Sequence, residues 1–544
     1  MALSLKPLSA RKWTPSNAQH LLNRAGFGVP RERANFLASL PLDEAIDYIV
    51  EYEQFPQQHT APEFLVDQNV YGGMKELNYE ERTERRRDIR RKERQAVNLL
   101  QQWWMDRMLN TTRPLEEKLA LFWHGHFAVS AQKIQVSEHN YELNAIFRKH
   151  ASGNFKTLTT AVAKTPAMLK YLDNNQNKKG KPNENWAREL MELFTIGIGN
   201  YTEDDIKESA RAFTGWRSNR DGFVFSKKLH DTDQKTFMGK TGNFDGYDII
   251  DIIFDQEATA RFMTQKLWAF FAYVVPEPEI IAELASTFRQ SGYQLKPVLK
   301  KMFASDAFYS QKAVGTQIKS PAQFIVMLAH DMGLTPPPYQ SMARSSAQLG
   351  QNLFYPPNVK GWDGGRTWIN ANTLLTRYNL SSAFTKANGV REERMAAMTA
   401  SNMDNMSMNS KDMQGKTQAE FRTFMEGQSS EKRKQIRKQM DRAKNPKQRQ
   451  AIAQRTLDQA HGFKPWKSTK VFSQLSFQTA GECIDELEAM FLSTPLNEEQ
   501  RAILLTGLGT SLREKDPLDE SSLNEKQMTA TLHLLLSAAE YQLC

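Results

Sequence analysis

The sequence predicts an all-α protein, and three observations carry that prediction. Apolar residues recur at helical spacing through most of the 544 residues. Helix-opening and helix-closing residues bracket those stretches. The stretch 223–248 breaks the pattern without regular strands, so no run of strands competes with the helices.

Taken in chain order, "TPSNAQHLLNRAGFG" opens with Thr14-Pro15 and stops at Gly26 and Gly28. "PRERANFLASLPLDEAIDYIV" gives a helix, a turn at Pro41 and another helix. Residues 78–109 form a long charged helix. Its run "ERRRDIRRKER" interleaves both signs, as a solvated helix face does. "RPLEEKLALFWHGHF" places Pro114 at a first helical position and Glu116 and Glu117 at the positive end of the helix dipole. "VSEHNYELNAIFRKHA", "NFKTLTTAVAKTPAMLKYL", 203–216 and 256–275 continue in helical spacing. "FVFSKKLHDTDQKTFMGKTGNFDGYD" is rich in Gly, Asp, Thr and Phe and reads as a loop with at most a short hairpin near 220–245. Helices return over 277–312 and 318–333, and "FYPPNVKGWDGGRTWINANTLLTRYNL" is an irregular segment that enters a helix. There is no internal repeat.

The length implies more than one structural unit. A helical body spans 1–389, and 451–544 supplies C-terminal helices that pack back on it. Between them, 390–450 reads as an insertion of little core-forming power. Seven methionines lie between 395 and 425 among polar residues; such a tract is a flexible segment, or a soft thioether site for copper.

The net charge of +9 invites a nucleic-acid reading, but its distribution argues against one. Residues 431–449 hold nine Lys/Arg against two Asp/Glu, a net +7, so the rest of the chain is near neutral. No zinc finger, RNP motif or recognition helix accompanies it. No apolar run is long enough to span a membrane. Cys483 and Cys544 are the only cysteines, which rules out a disulfide scaffold or a cysteine zinc site. The first residues lack a signal-peptide h-region, so a cytoplasmic protein is expected. P-loop, G-x-G-x-x-G, G-x-S-x-G and HExxH are all missing.

Several polar clusters could carry chemistry. In "NENWARELMELFTIG", residues 183–197, a regular helix would set Leu190 and Leu193 about 40° and 20° to either side of Trp186 as a buried stripe. Asn185, Glu189 and Glu192 would share an arc of about 60° on one flank, with Arg188 just beyond. Neighbouring carboxylates beside an apolar stripe raise at least one pKa unless a cation or metal neutralises them. The same pattern also fits a buried Arg–Glu network. His124 and His126 point about 200° apart on a regular helix, and would share a metal only where Gly125 lets the helix unwind. Otherwise they are two packed histidines among Phe122, Trp123 and Phe127. His230 and Asp231 lie in a loop, where site residues concentrate. His20 and Arg24 form an i, i+4 pair that fits a packing role. In "NVKGWDGGRTW", Lys360, Asp363 and Arg366 could surround a polar or anionic ligand, with Trp362 and Trp368 as stacking faces of the kind sugar sites use. A rigid core-crossing loop is the competing reading.

Six segments in this order, "HLLNRAGFG", "RPLEEKLALFWHGHFAV", "NENWARELMELFTIGIGNYTEDDIKESARAFTGW", "HDTDQKTFMGKTG", "PPNVKGWDGGRTWIN" and "SAAEYQL", resemble the bacterial "domain of unknown function 1800" family. The resemblance runs from about residue 15 to the end and omits 390–450. It implies a mostly helical bacterial protein whose neighbour is a sulfatase-like protein of the "domain of unknown function 1501" family, in an envelope or exported setting. It implies no settled activity. His20, His124, His126, Asn183, Glu184, Arg188, Glu189, Glu192, His230 and Asp231 all fall in these segments.

Two functions follow as expectations. The first is an enzyme in which His124, His126, Glu189, Glu192 and His230 hold a divalent metal, with Glu184 or Asp231 as general base and Arg188 steadying carboxylates or an anionic substrate. Without a metal, the same groups would act as acid and base on a carbohydrate-like substrate. The second is a non-catalytic partner of the sulfatase-like neighbour or of a polysaccharide, with the polar motifs serving as buried networks.

Overall fold

The computed structural model describes residues 3–28, 31–74, 76–219, 222–334, 339–385, 425, 430–441, 452 and 467–544. Among these residues there are 22 α-helices and two small antiparallel hairpins. The helices begin with α1 (Pro15–Ala25), α2 (Arg31–Ser39), α3 (Leu42–Val50), α4 (Tyr79–Asn110) and α5 (Pro114–His126). Then come α6 (Ser137–Lys149), α7 (Phe155–Ala163), α8 (Pro166–Tyr171), α9 (Asn185–Glu189) and α10 (Glu203–Ala212). After the hairpins follow α11 (Gly246–Asp255), α12 (Glu257–Phe271), α13 (Pro278–Gln290), α14 (Leu295–Ala304), α15 (Pro321–Asp331), α16 (Tyr339–Gln348) and α17 (Ala371–Thr385). The last are α18 (Ser430–Asp441), α19 (Thr469–Phe472), α20 (Ala480–Phe491), α21 (Glu498–Leu508) and α22 (Glu525–Ser537).

The local signals act at the expected positions. Thr14 accepts from the Asn17 amide at the start of α1, with Pro15 at the first helical position. Asn78 and Glu81 close a capping box on α4. Such caps each contribute about 1 kcal/mol. The N-terminal half of α4 is solvated: only Ile89 and Glu93 are buried there, and Asp88 pairs with Arg91 and Lys92. Its C-terminal half enters the core through Leu100, Trp104, Met105 and Met108.

The hairpin region holds two ladders. Strand β1 (Trp216–Asn219) pairs with β2 (Gly222–Phe225), Trp216 opposite Phe225. Strand β3 (Lys235–Phe237) pairs with β4 (Lys240–Gly242), Lys235 opposite Gly242.

One contiguous apolar cluster runs from Leu5 to Tyr541 and includes the fully buried Trp104, Trp123, Trp216 and Trp268. The end of the chain is tied into it. Cys544 and Gln317 exchange backbone hydrogen bonds, the Tyr541 hydroxyl donates to Asp331, and Arg377 donates to Gln542 and to the Lys319 carbonyl. No described helix is long and apolar enough to cross a membrane. The Met-rich tract, and the expectations of a separate insertion and of a thioether copper site, lie outside the described residues except for Met425 and α18.

Candidate functional site

The histidine pair ends α5. α5 is helical through His126, without the unwinding at Gly125 that a shared metal would need, so the two rings diverge. His124 is 2% exposed, and its Nε2 accepts the Phe354 amide at 3.0 Å. That bond puts the ring proton on Nδ1. The ring packs against Trp104, Phe354 and Trp362. Burial and then the Arg148 charge lower its pKa to about 3. His126 is 5% exposed and faces the other way, with Nε2 2.9 Å from the Phe194 carbonyl and Nδ1 3.2 Å from Lys266 Nζ. A carbonyl only accepts, so Nε2 carries the proton and Nδ1 accepts from the ammonium. Burial and then Lys266 hold His126 well below its ordinary range.

This second histidine explains the odd signature segment. Helix α9 runs only to Glu189; Leu190–Thr195 then winds as a π-helix. The Ile196 amide accordingly reaches back five residues to the Met191 carbonyl at 3.1 Å. The wider turn leaves carbonyls to be satisfied. His126 donates to Phe194, and Lys266 donates to Leu193 at 3.1 Å. The π-turn also corrects the expected stripe. Trp186, Ala187, Leu190, Met191, Phe194 and Thr195 are buried, whereas Leu193 is only partly so. Lys266 carried no motif in the sequence; burial lowers its pKa to about 8.

The carboxylates of the signature divide into two groups. Arg188 takes Glu203 bidentately, at 2.9 Å on both oxygens, and Glu184 at 3.2 Å. It therefore steadies Glu184 and Glu203, the latter within the long signature segment but not among the expected site residues, rather than Glu189 and Glu192. These pairs are exposed enough that solvent screens them. Glu189 is half-buried and makes no hydrogen bond or ion pair among the described residues. Burial, then repulsion from Glu192, raises its pKa, with Arg188 and Lys360 opposing. Glu192 accepts from the Tyr201 hydroxyl at 3.3 Å.

His230 and Asp231 anchor the hairpins. His230 Nδ1 donates to the Thr214 carbonyl at 2.9 Å, and its ring meets Phe225 edge-on. Asp231 is 7% exposed and accepts from Arg211 Nε at 2.9 Å and from the Asp233 amide. Burial would raise its carboxyl, but Arg211 and the amide together hold it below the ordinary range. Asp231 is thus a paired structural anion, not a poised base. Asn183 takes the same kind of local role, accepting the Asn185 amide. His20 and Arg24 are buried in α1, bonded to the Phe308 and Ala313 carbonyls. The five residues expected to ligate a metal are therefore not brought together. Among the described residues, no group of three or more His, Cys, Asp and Glu side chains is placed to hold a metal ion.

What the fold does bring together is the "HGH" turn and the loop 352–370. Gly361 sits at φ +81°, and a Cβ there would lie 2.1 Å from the Gly125 carbonyl oxygen. The loop backbone rests directly on the helix because Gly361 has no side chain. The Phe354 amide on His124, the Phe354 carbonyl accepting the Ala131 amide, and Gln101 donating to Asn352 and Leu353 fix its start. Lys360 is held near enough to act on Glu189. Beyond it, Trp362, Asp363, Thr367, Trp368 and Asn370 combine with Gln348 of α16 and Thr373 of α17. Together with Leu349, Gly350 and Pro357 they enclose a pocket of about 310 Å³. Lys360 and Arg366, expected at this ligand site, do not line it.

Fold and site together define a helical protein with a loop-borne, tryptophan-walled polar pocket. The chain belongs to the DUF1800 family, whose sequence profile, described as a protein of unknown function, matches residues 20–543. Comparison with curated proteins and with solved structures finds no match.

Proposed function

We propose that the chain binds a carbohydrate-like ligand in the pocket formed by the loop 357–370. The observation that carries this reading is the pocket's lining. Two indole rings stand beside one carboxylate, two amides and two hydroxyls, in a volume at the lower end for small-ligand sites. Aromatic faces take the apolar face of a sugar ring. The Thr367 and Thr373 hydroxyls already donate to the Gly364 and Asn370 carbonyls, so the Gln348 and Asn370 amides and the Asp363 carboxylate are the groups to take its hydroxyls. The sealed histidines favour binding over metal-assisted catalysis. Both rings are buried, and a backbone group engages each.

The test is affinity electrophoresis of the full chain through gels containing soluble polysaccharides, beside Trp362→Ala. Retardation of the wild type and its loss in the variant are expected, with unchanged far-UV circular dichroism. Identical mobility of both proteins in every gel would refute the reading.

A second reading has an observation of its own. Glu189, outside the lining of the pocket, is a half-buried carboxyl with a raised pKa and no hydrogen-bond or ion-pair partner among the described residues, and Glu192, Arg188 and Lys360 are near enough to act on it. Such a group can protonate a glycosidic oxygen. Product release from a bound polysaccharide, lost in Glu189→Gln with binding retained, is the result that separates this hydrolase from a binding protein. The sulfatase-like partner and the exported setting implied by the family resemblance belong to the same reading, because a polysaccharide ligand would lie outside the cell. Co-purification of the two proteins from one host tests the partnership.

A further inference from the structure

The pocket's electrostatics select among saccharides. Ten of the described residues line it, and among these Asp363 is the only ionisable one. No hydrogen bond or ion pair among the described residues engages its carboxylate. The basic residues that flank it in sequence do not compensate it within the pocket. Lys360 and Arg366 are exposed outside the lining, and neither forms an ion pair with Asp363 among the described residues. Asp363 is an exposed residue of the lining, and an unpaired carboxylate there repels uronic and sulfated sugars. It favours a ligand that brings its own cation, through a charge-assisted hydrogen bond. The partly exposed Trp362 adds to the same preference, because an ammonium over a tryptophan face is attracted by the ring quadrupole.

We infer that the ligand is an aminosugar of the glucosamine type, its ammonium on Asp363 and its ring against Trp362, with the buried Trp368 closing the wall behind it. This rests on the carbohydrate reading above and names the substrate class within it. It also reverses the anionic ligand that the Lys/Arg-flanked sequence suggests.

The experiment is calorimetric titration of the full chain at pH 6.5 with three probes: a glucosamine tetramer, its N-acetylated counterpart and a galacturonate tetramer. The expected result is at least ten-fold tighter binding of the glucosamine tetramer than of the acetylated one, and none of the galacturonate. Asp363→Asn should bring the first two within two-fold of each other while still binding both, which also reports that the variant is folded. Equal affinity of the wild type for the two glucosamine forms, or a preference that survives in Asp363→Asn, overturns the inference and leaves the carbohydrate reading standing. Tighter binding of galacturonate does the same. Absence of binding by all three probes overturns both.

Discussion

Replacing Gly361 with alanine tests whether the contact between "HGH" and "KGW" builds the site. Two costs add. An L-residue at φ +81° costs about 1–2 kcal/mol. The new Cβ would also stand 2.1 Å from the Gly125 carbonyl oxygen, over an ångström inside ordinary contact. Its neighbour there is backbone within α5, so the loop must lift. Lifting weakens the Phe354 amide bond to His124, about 1 kcal/mol, and the packing of Trp362 on that ring. The expected loss is about 3 kcal/mol, together with loss of saccharide binding.

Two controls separate the terms. Gly365 has φ +55°, and a Cβ added there would meet nothing within 4 Å, so Gly365→Ala isolates the dihedral cost. Gly125→Ala places its Cβ 3.9 Å from Trp362 and only replaces a helical glycine, a gain of roughly 0.5–1 kcal/mol. Urea unfolding followed by tryptophan fluorescence gives the three differences, and affinity electrophoresis gives binding. If Gly361→Ala costs no more than Gly365→Ala and binds normally, the direct seating of the loop on the helix does not organise the pocket.

Two further predictions concern the histidines. Burial is the main cause that lowers His124 to about 3 and His139 and His330 to about 4. The unfolded chain, with histidines near 6.5, binds the protons that the folded chain refuses, so stability is present above pH 6.5 and is lost as pH falls toward 4. At pH 5 each of the three costs about 2 kcal/mol, while Asp331, raised to about 6 mainly by burial, offsets about 1 kcal/mol. Stability from urea titrations should therefore drop by several kcal/mol between pH 7 and pH 5; a flat profile would contradict the burial. Separately, His126→Ala should cost about 3 kcal/mol by orphaning the Phe194 carbonyl and leaving a cavity. Hydrogen exchange should accelerate more than ten-fold at the Ile196 and Gly197 amides, which both bond Met191. Unchanged exchange at those two amides would show that His126 does not hold the π-turn.

The helices, their openings and the irregular segment before α17 were legible because they rest on local periodicity and on caps that span three residues. For His124 and His126 the spacing left two readings open, about 200° apart on a regular helix or together at an unwound Gly125, and the helix running through His126 decided between them. Trp362, Asp363 and Trp368 stood out as a polar, aromatic loop. Their companions Gln348 and Thr373 did not, because they come from the flanking helices and carry no pattern.

What the sequence by itself determined is the helical architecture and which segments are polar enough to form a site. Only the tertiary structure decided what those segments do. The π-turn depends on carbonyls met by His126 and Lys266, 68 and 73 residues from the carbonyls they hold. The pairing of Arg188 with Glu203 rather than Glu189 depends on where α10 lies. The pocket depends on two glycines meeting across more than two hundred residues of chain. Periodicity records which face of an element is apolar; it holds no information on which distant donor, acceptor or backbone will arrive to complete it.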